Sequence, residues 1–143
     1  MDALRRTRWS CKFRSPCSAY RVLIQCHSGL GTGISASAFI QHGLSTTVVE
    51  LDPAVVDAAK TYFGFKPTDP KKVHTTDARS FVSSQLRQAG KPKTPSETFD
   101  IVIHDVFSGG GVPAHLFTVA FWQDLAKIMK PDGVVAVVCD LIC

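Results

Sequence analysis

Three acidic residues have the types and spacing that could bind and activate a nucleoside. Glu50, Asp77 and Asp105 each follow or end a short apolar run. A carboxylate can accept hydrogen bonds from ribose hydroxyls or from a base amine. It can also remove or orient the proton of an attacking amine. The three positions therefore predict binding and group-transfer chemistry on one nucleoside.

A glycine-rich segment lies between the first apolar run and a helix-like stretch. Gly29, Gly31 and Gly33 alternate there with Leu30 and Thr32. Glycines let the backbone approach a ligand closely, and a helix N-terminus offers unpaired N–H donors. A dinucleotide fingerprint would place a third glycine at position 34, which is isoleucine, so an NAD-dependent oxidoreductase is the disfavoured alternative.

Each carboxylate could also have a role that involves no ligand. Glu50 could be a solvated charge at a strand end, but its place in an apolar strand 17 residues after Gly33 favours the ribose role. Asp77 could cap a helix, bind an adenine amine, or do both. Asp105 could be a loop carboxylate or a base facing the transferred group.

The histidines carry no predicted chemistry. His104 points to the opposite face from Asp105 if both lie on one strand, so a structural role is predicted for it. The other four, at positions 27, 42, 74 and 115, form no cluster in the sequence.

The elements that must position these residues alternate between strands and helices from residue 20 onward. The predicted strands are 20–24, 46–51, 72–76, 99–104 and 133–139. The predicted helices are 34–41, one that begins at Pro53 with Asp52 as its cap, 79–88 and 116–129. Continuous apolar strands separated by helices predict a parallel, doubly wound α/β sheet. Ligands in such sheets bind beyond the carboxyl ends of the strands.

The net charge of +4 is concentrated in the first residues of the 143-residue chain. Residues 1–21 carry six basic side chains against Asp2, and the remaining 122 carry ten basic against eleven acidic ones. A near-neutral body does not predict a nucleic-acid surface. Residues 1–19 are predicted to be a disordered basic leader, with a mitochondrial targeting segment or a wrongly joined segment as alternatives. Residues 20–143 form the predicted domain.

The five cysteines form no CxxC pair and no zinc-ligand spacing, so no metal is predicted. Scattered unpaired cysteines favour a reducing compartment, which predicts a cytoplasmic location. No apolar run is long enough to cross a bilayer, so no membrane contact is expected from this segment.

The combined motifs resemble the spermidine/spermine synthase family over about residues 20–140. The resemblance rests on the glycine segment together with five later stretches. These are VVELDPAVV at 48–56, AKTYF at 59–63, DAR at 77–79, FDIVIHD at 99–105 and PAHLFT at 113–118 with Phe121 and Trp122. The stretch HDVFSGG at 104–110 is similar to fungal members, which are often attached to membrane-embedded N-terminal regions.

The resemblance implies a Rossmann-like, class I methyltransferase-like fold that binds S-adenosylmethionine or its decarboxylated form. By position, Glu50 would hold the ribose, Asp77 and Ala78 the adenine, and Asp105 would stand at the catalytic acid. The family pattern further implies two more strands and a small N-terminal β-domain. The sequence therefore predicts about five strands and a domain incomplete at its C-terminal side, with an open apolar edge at the fifth strand.

Two positions depart from the family's aminopropyltransferases. Those enzymes carry an aspartate inside the glycine segment, where this chain has Thr32, and a second aspartate three residues past the catalytic one, where it has Ser108. Residues 25–28 also resemble an insertion between strand one and the glycine segment.

Three functions stay open on these grounds. The first is aminopropyl transfer to a small-molecule amine, which the family supports. The second is methyl transfer, which Thr32 and Ser108 favour. The third is a catalytically silent nucleoside-binding or interaction module. Independently of these functions, the chain is expected to be able to form a homo-oligomer.

Overall fold

The computed structural model describes residues 21–26, 30–87, 98–106 and 111–138. Predictions about the basic leader, Gly29, Ser108 and the residues from 139 onward lie outside these ranges. Within the described ranges, no helix is long and apolar enough to cross a membrane.

Five parallel strands form one sheet in the order β3-β2-β1-β4-β5. The strands are β1 (Arg21–Cys26), β2 (Ser45–Glu50), β3 (Val73–Thr75), β4 (Phe99–Asp105) and β5 (Met129–Val137). The chain moves outward from β1 to β3 and then returns to β4 on the other side of β1. This reversal creates a switch point between β1 and β4, where doubly wound sheets bind their ligands.

Helices cover both faces of the sheet. They are α1 (Ile34–Gln41), α2 (Pro53–Tyr62), α3 (Ala78–Arg87) and α4 (Val119–Ala126), with short 3-10 helices at Pro70–Lys72 and Ala114–Leu116. Neighbouring strand residues point to opposite faces, so Val48 packs in the core beneath α1 and α2 while Val49 packs beneath α3 and α4. The predicted doubly wound α/β architecture is confirmed.

Local chemistry explains where the helices begin. The Asp52 carboxylate accepts a hydrogen bond from the Ala54 amide at 2.8 Å, and Pro53 occupies the first helical position of α2, as predicted. The Thr118 hydroxyl accepts from the Phe121 amide, which starts α4 at Val119. The helix predicted from residue 116 therefore begins later, because residues 114–116 form a separate 3-10 turn.

Two strand boundaries differ from the sequence prediction. Gln25 and Cys26 belong to β1, where they pair with both neighbouring strands, so β1 extends two residues beyond the predicted strand. Residues 27 and 28 of the predicted insertion lie outside the described ranges. At the other end of the chain, β5 begins at Met129 because Met129 already pairs with Phe99 before an irregularity in the ladder. The strand predicted to start at residue 133 is its second half.

Candidate functional site

The glycine segment forms a tight turn that leads into α1. The Gly33 amide donates to the Leu30 carbonyl at 2.6 Å, and both Gly31 and Gly33 adopt positive φ angles, of 49° and 77°. A Cβ on Gly33 would lie 2.9 Å from the Cβ of buried Phe65, whereas a Cβ on Gly31 would meet no described atom within 4 Å. Gly33 is thus required by packing, while Gly31 leaves the backbone open to an incoming group.

Glu50 is fully buried at the end of β2. Its Oε2 accepts from the Leu30 amide at 3.1 Å and its Oε1 accepts from the Asp52 amide at 3.0 Å. The first of these bonds ties the carboxylate to the glycine turn. A carboxylate has about four lone-pair positions, so these two bonds orient it without exhausting its capacity to accept. Glu50 is not the solvated charge that its strand-end position also allowed.

Asp105 lies in the same row of the sheet as Glu50. Cys26 of β1 pairs with Glu50 on one side and with Asp105 on the other. Two strand spacings separate the two backbones, a distance of about 10 Å. Strand alternation places both residues on the sheet face covered by α1 and α2, since Val48 and Ile103 lie on that face two positions earlier. Asp105 is half-buried.

Asp77 lies just beyond β3 and caps α3. Its Oδ2 accepts from the Ser80 amide at 3.0 Å, and the Phe81 amide donates to its carbonyl. The preceding residue, Thr76, donates its amide to the Glu50 carbonyl at 2.8 Å, which holds the start of α3 beside the end of β2. The predicted capping role is present, and the predicted adenine contact stays a prediction.

Ala78, the first residue of α3, has its side chain buried in the core beneath α3 and α4. Any contact between Ala78 and a ligand must therefore use its backbone. Thr32, by contrast, is half-buried in the glycine turn. Gly29, the remaining predicted binding residue, lies outside the described part of the chain.

His115, for which no chemistry was predicted, contacts Asp77. Its Nε2 lies 2.9 Å from Asp77 Oδ1. The Arg79 guanidinium donates to the His115 carbonyl and to the Thr118 hydroxyl, each at 3.2 Å. The contact spans 38 residues and depends on α3 and α4 sharing one sheet face. His115 lies within the PAHLFT stretch of the family resemblance, but that stretch does not indicate a contact with Asp77.

His104 is a core residue, as predicted from strand alternation. It is fully buried and its ring packs 4.8–5.5 Å from the rings of Phe117, Phe121 and Trp122. Burial lowers its pKa to about 4 because the surrounding rings desolvate the charged form. The imidazole is therefore neutral near pH 7.

The described residues contain no group of three or more His, Cys, Asp or Glu side chains that could hold a metal ion. The carboxyl edge of the sheet instead collects a glycine turn and three carboxylates at separate strand ends. Such a set suits the hydroxyls and amines of a nucleoside, each bound by its own acceptor.

Comparisons with known proteins point to one family. The family described as "Spermine/spermidine synthase domain" matches residues 31–142, a range that includes Glu50, Asp77 and Asp105. The N-terminal histidine N-methyltransferase of Emericella nidulans is 43% identical over 112 residues, which are 76% of this chain and 18% of that protein. The polyamine aminopropyltransferase of Vibrio vulnificus is 33% identical over 74% of this chain and 34% of its own length.

A solved structure shows the same fold. Human methyltransferase-like protein 13, in complex with SAH, superposes with a TM-score of 0.70 at 26% identity, covering 85% of this chain and 56% of that one. The chain spans less than two thirds of each of these three proteins. The class I methyltransferase-like architecture implied by the family resemblance is confirmed.

Proposed function

Because this chain belongs to the spermine/spermidine synthase domain family, we propose that it is the S-adenosylmethionine-binding part of a transferase that methylates an amine. The single observation that carries the proposal is the shared row of Glu50 and Asp105 on either side of β1, with the glycine turn bonded to Glu50. This row lies at the switch point of the sheet, where doubly wound folds bind nucleotides.

Each of these residues binds a different part of the ligand. In the proposed pose, Glu50 accepts from the ribose hydroxyls, Asp77 accepts from the adenine amine, and the Ala78 amide lies near the base. Gly31 and Thr32 leave room for the amino-acid arm. S-Adenosylmethionine, when bound, supplies a methyl group on a positively charged sulfur. The amine nitrogen would take this methyl group as the carbon–sulfur bond breaks and leaves S-adenosylhomocysteine. Asp105 would face the acceptor, orient its amine and accept the proton that the nitrogen loses.

Thr32 favours methyl transfer over aminopropyl transfer. The decarboxylated form of the ligand ends in an ammonium, which an aspartate in the glycine turn would hold. S-Adenosylmethionine also carries a carboxylate at this end, which the same aspartate would repel. A neutral threonine removes that repulsion and also removes the charge-assisted bond to the ammonium. The methyltransferase from Emericella nidulans, at 43% identity, supports the same choice.

Labelled methyl transfer tests this proposal. The chain is incubated with S-adenosylmethionine carrying a labelled methyl group and with peptides that present a free N-terminal histidine or a lysine. We expect label in the peptide, and a loss of about 100-fold or more with Asp105→Asn. The matched control is Asp57→Asn, the same change on the exposed face of α2, which should retain full activity.

Other outcomes would replace the proposal. Aminopropyl transfer from the decarboxylated ligand to putrescine, dependent on Asp105, would make the chain a polyamine-type enzyme. Binding without any turnover would make it a silent nucleoside-binding module.

A further inference from the structure

We infer that His115 is a positioning residue that fixes the Asp77 carboxylate for selection of a 6-amino purine. This inference rests on the proposed function, because it concerns the base end of the same nucleoside site. His115 stands on the short 3-10 helix Ala114–Leu116, and its Nε2 lies 2.9 Å from Asp77 Oδ1.

The two oxygens of Asp77 have different partners. Oδ2 accepts from the Ser80 amide in the first turn of α3, and Oδ1 faces His115. The His115 contact adds a second fixed point, so the direction of the Oδ1 lone pairs is set by two different elements of the fold.

The pair lies at the surface of the site. The side chain of Asp77 is 24% exposed and that of His115 is 46% exposed. An ionised carboxylate only accepts hydrogen bonds, so the nitrogen that faces Oδ1 must carry a hydrogen. One carboxylate oxygen can accept two hydrogen bonds, so the His115 contact and a bond from a base amine are compatible on Oδ1.

A fixed acceptor of this kind discriminates between purines. The 6-amino group of adenine donates to a carboxylate, whereas the 6-oxo group of hypoxanthine presents a second acceptor and is repelled. Sites that form a specific hydrogen bond reject an analogue that cannot form it, because the polar groups that the ligand covers are then left unpaired. Asp77 therefore discriminates between the two purines, and the size of the affinity ratio depends on how firmly His115 holds the carboxylate.

The 3-10 segment has a second, independent attachment to α3. Arg79 donates to the His115 carbonyl and to the Thr118 hydroxyl. Removing Arg79 therefore loosens the segment without deleting the imidazole. The chain thus offers a matched control that separates general loosening from loss of the His115–Asp77 contact.

The test measures a ratio of affinities. Calorimetric titration gives the Kd of S-adenosylhomocysteine and of its hypoxanthine counterpart, S-inosylhomocysteine, for the wild type and three variants. We expect the wild type to prefer the adenine ligand by at least about tenfold. His115→Ala should reduce that preference to within about threefold of unity. His115→Gln, whose amide can donate from nearly the same place as Nε2, should restore most of it. Arg79→Ala keeps the imidazole but loosens its segment, so it should reduce the preference less than His115→Ala does.

Two results would overturn the inference. If His115→Ala weakens both ligands by the same factor, His115 is only structural. If the wild type binds both ligands equally, the site does not select the base, although the proposed function stands. Absence of binding of either ligand to the folded wild type would instead remove the proposed function together with the inference. The melting temperature of each variant, measured alongside, verifies that it is folded.

Discussion

At the scale of single residues, the carboxylates on the two strands that flank β1 have different surroundings. Glu50 is fully buried and accepts two backbone amides, so its orientation is set before any ligand binds. Asp105 is half-buried in the same row of the sheet. A carboxylate with a fixed orientation suits ligand binding. A more accessible carboxylate suits proton exchange with the amine that receives the transferred group.

Thr32→Asp should change which ligand the site prefers. A carboxylate at this position would form a charge-assisted bond with the ammonium of decarboxylated S-adenosylmethionine and repel the carboxylate of S-adenosylmethionine. Such a bond contributes about 1–3 kcal/mol, so we expect roughly tenfold tighter binding of the decarboxylated form. Competitive titration of the two ligands measures the shift. Thr32→Asn, which adds no charge, is the control and should leave the ratio of the two affinities unchanged. An unchanged ratio in Thr32→Asp would mean that residue 32 does not face the amino end of the ligand.

At the scale of elements, the glycine turn is the part of the site that the sequence specified best. Alternating glycines before a helix predict that the backbone can approach a ligand closely. Gly31 and Gly33 do adopt left-handed conformations. The sequence could not show that Gly33 packs against another residue while a Cβ on Gly31 would meet no atom of the described residues. That distinction depends on Phe65, which comes from the segment after α2 and packs against Gly33.

Alanine substitutions should separate the two glycines. Gly33→Ala combines a left-handed backbone with a contact of 2.9 Å to the Cβ of buried Phe65, so we expect a loss of about 2–4 kcal/mol in the free energy of unfolding. Gly31→Ala carries only the backbone cost, about 1 kcal/mol. Urea unfolding of both variants measures the difference. Equal losses would show that Phe65 does not constrain the turn.

The order of elements was predictable from the sequence, but the contacts between distant elements were not. Apolar runs such as Phe99–Asp105 marked the strands, and Asp52 with Pro53 marked the start of α2. The His115–Asp77 contact joins the start of α3 to the segment before α4, and no local pattern encodes it. The PAHLFT segment likewise gave no local sign that a 3-10 turn would precede α4.

At the scale of the whole molecule, the sheet has two apolar cores and a polar carboxyl edge. The core beneath α3 and α4 includes the ring cluster around His104, and the core beneath α1 and α2 includes Phe65. Strand β5 forms one edge of the described sheet, and its Val134 side chain is 60% exposed. The site lies along the carboxyl edge of this sheet, from the end of β3 to the end of β4.

Burial of His104 predicts a pH dependence of global stability. Its pKa falls from 6.5 in the unfolded chain to about 4 in the fold, so the unfolded state binds more protons between these values. The contribution of neutral His104 to the free energy of unfolding is fully present above about pH 6.5 and decreases as the pH falls towards 4. Burial also lowers the pKa of His74, which adds to the trend with the same sign.

His104→Leu should flatten this dependence. We expect the melting temperature of the variant to fall less than that of the wild type between pH 7 and pH 4.5, whatever its value at pH 7. Calorimetric melting at several pH values measures the slopes. His42→Gln, a change at an exposed position, should follow the wild-type slope. Parallel slopes for His104→Leu and the wild type would show that His104 is not kept neutral by burial.

The most direct test of the account is calorimetric titration of the chain with S-adenosylhomocysteine, compared with Glu50→Gln. We predict saturable binding with one site per chain, weakened by about tenfold or more in the variant because the ribose loses part of a fixed ionised acceptor. Equal affinities, or saturable binding of NAD with none of the S-adenosyl ligand, would contradict the claim that these strand ends form an S-adenosyl nucleoside site.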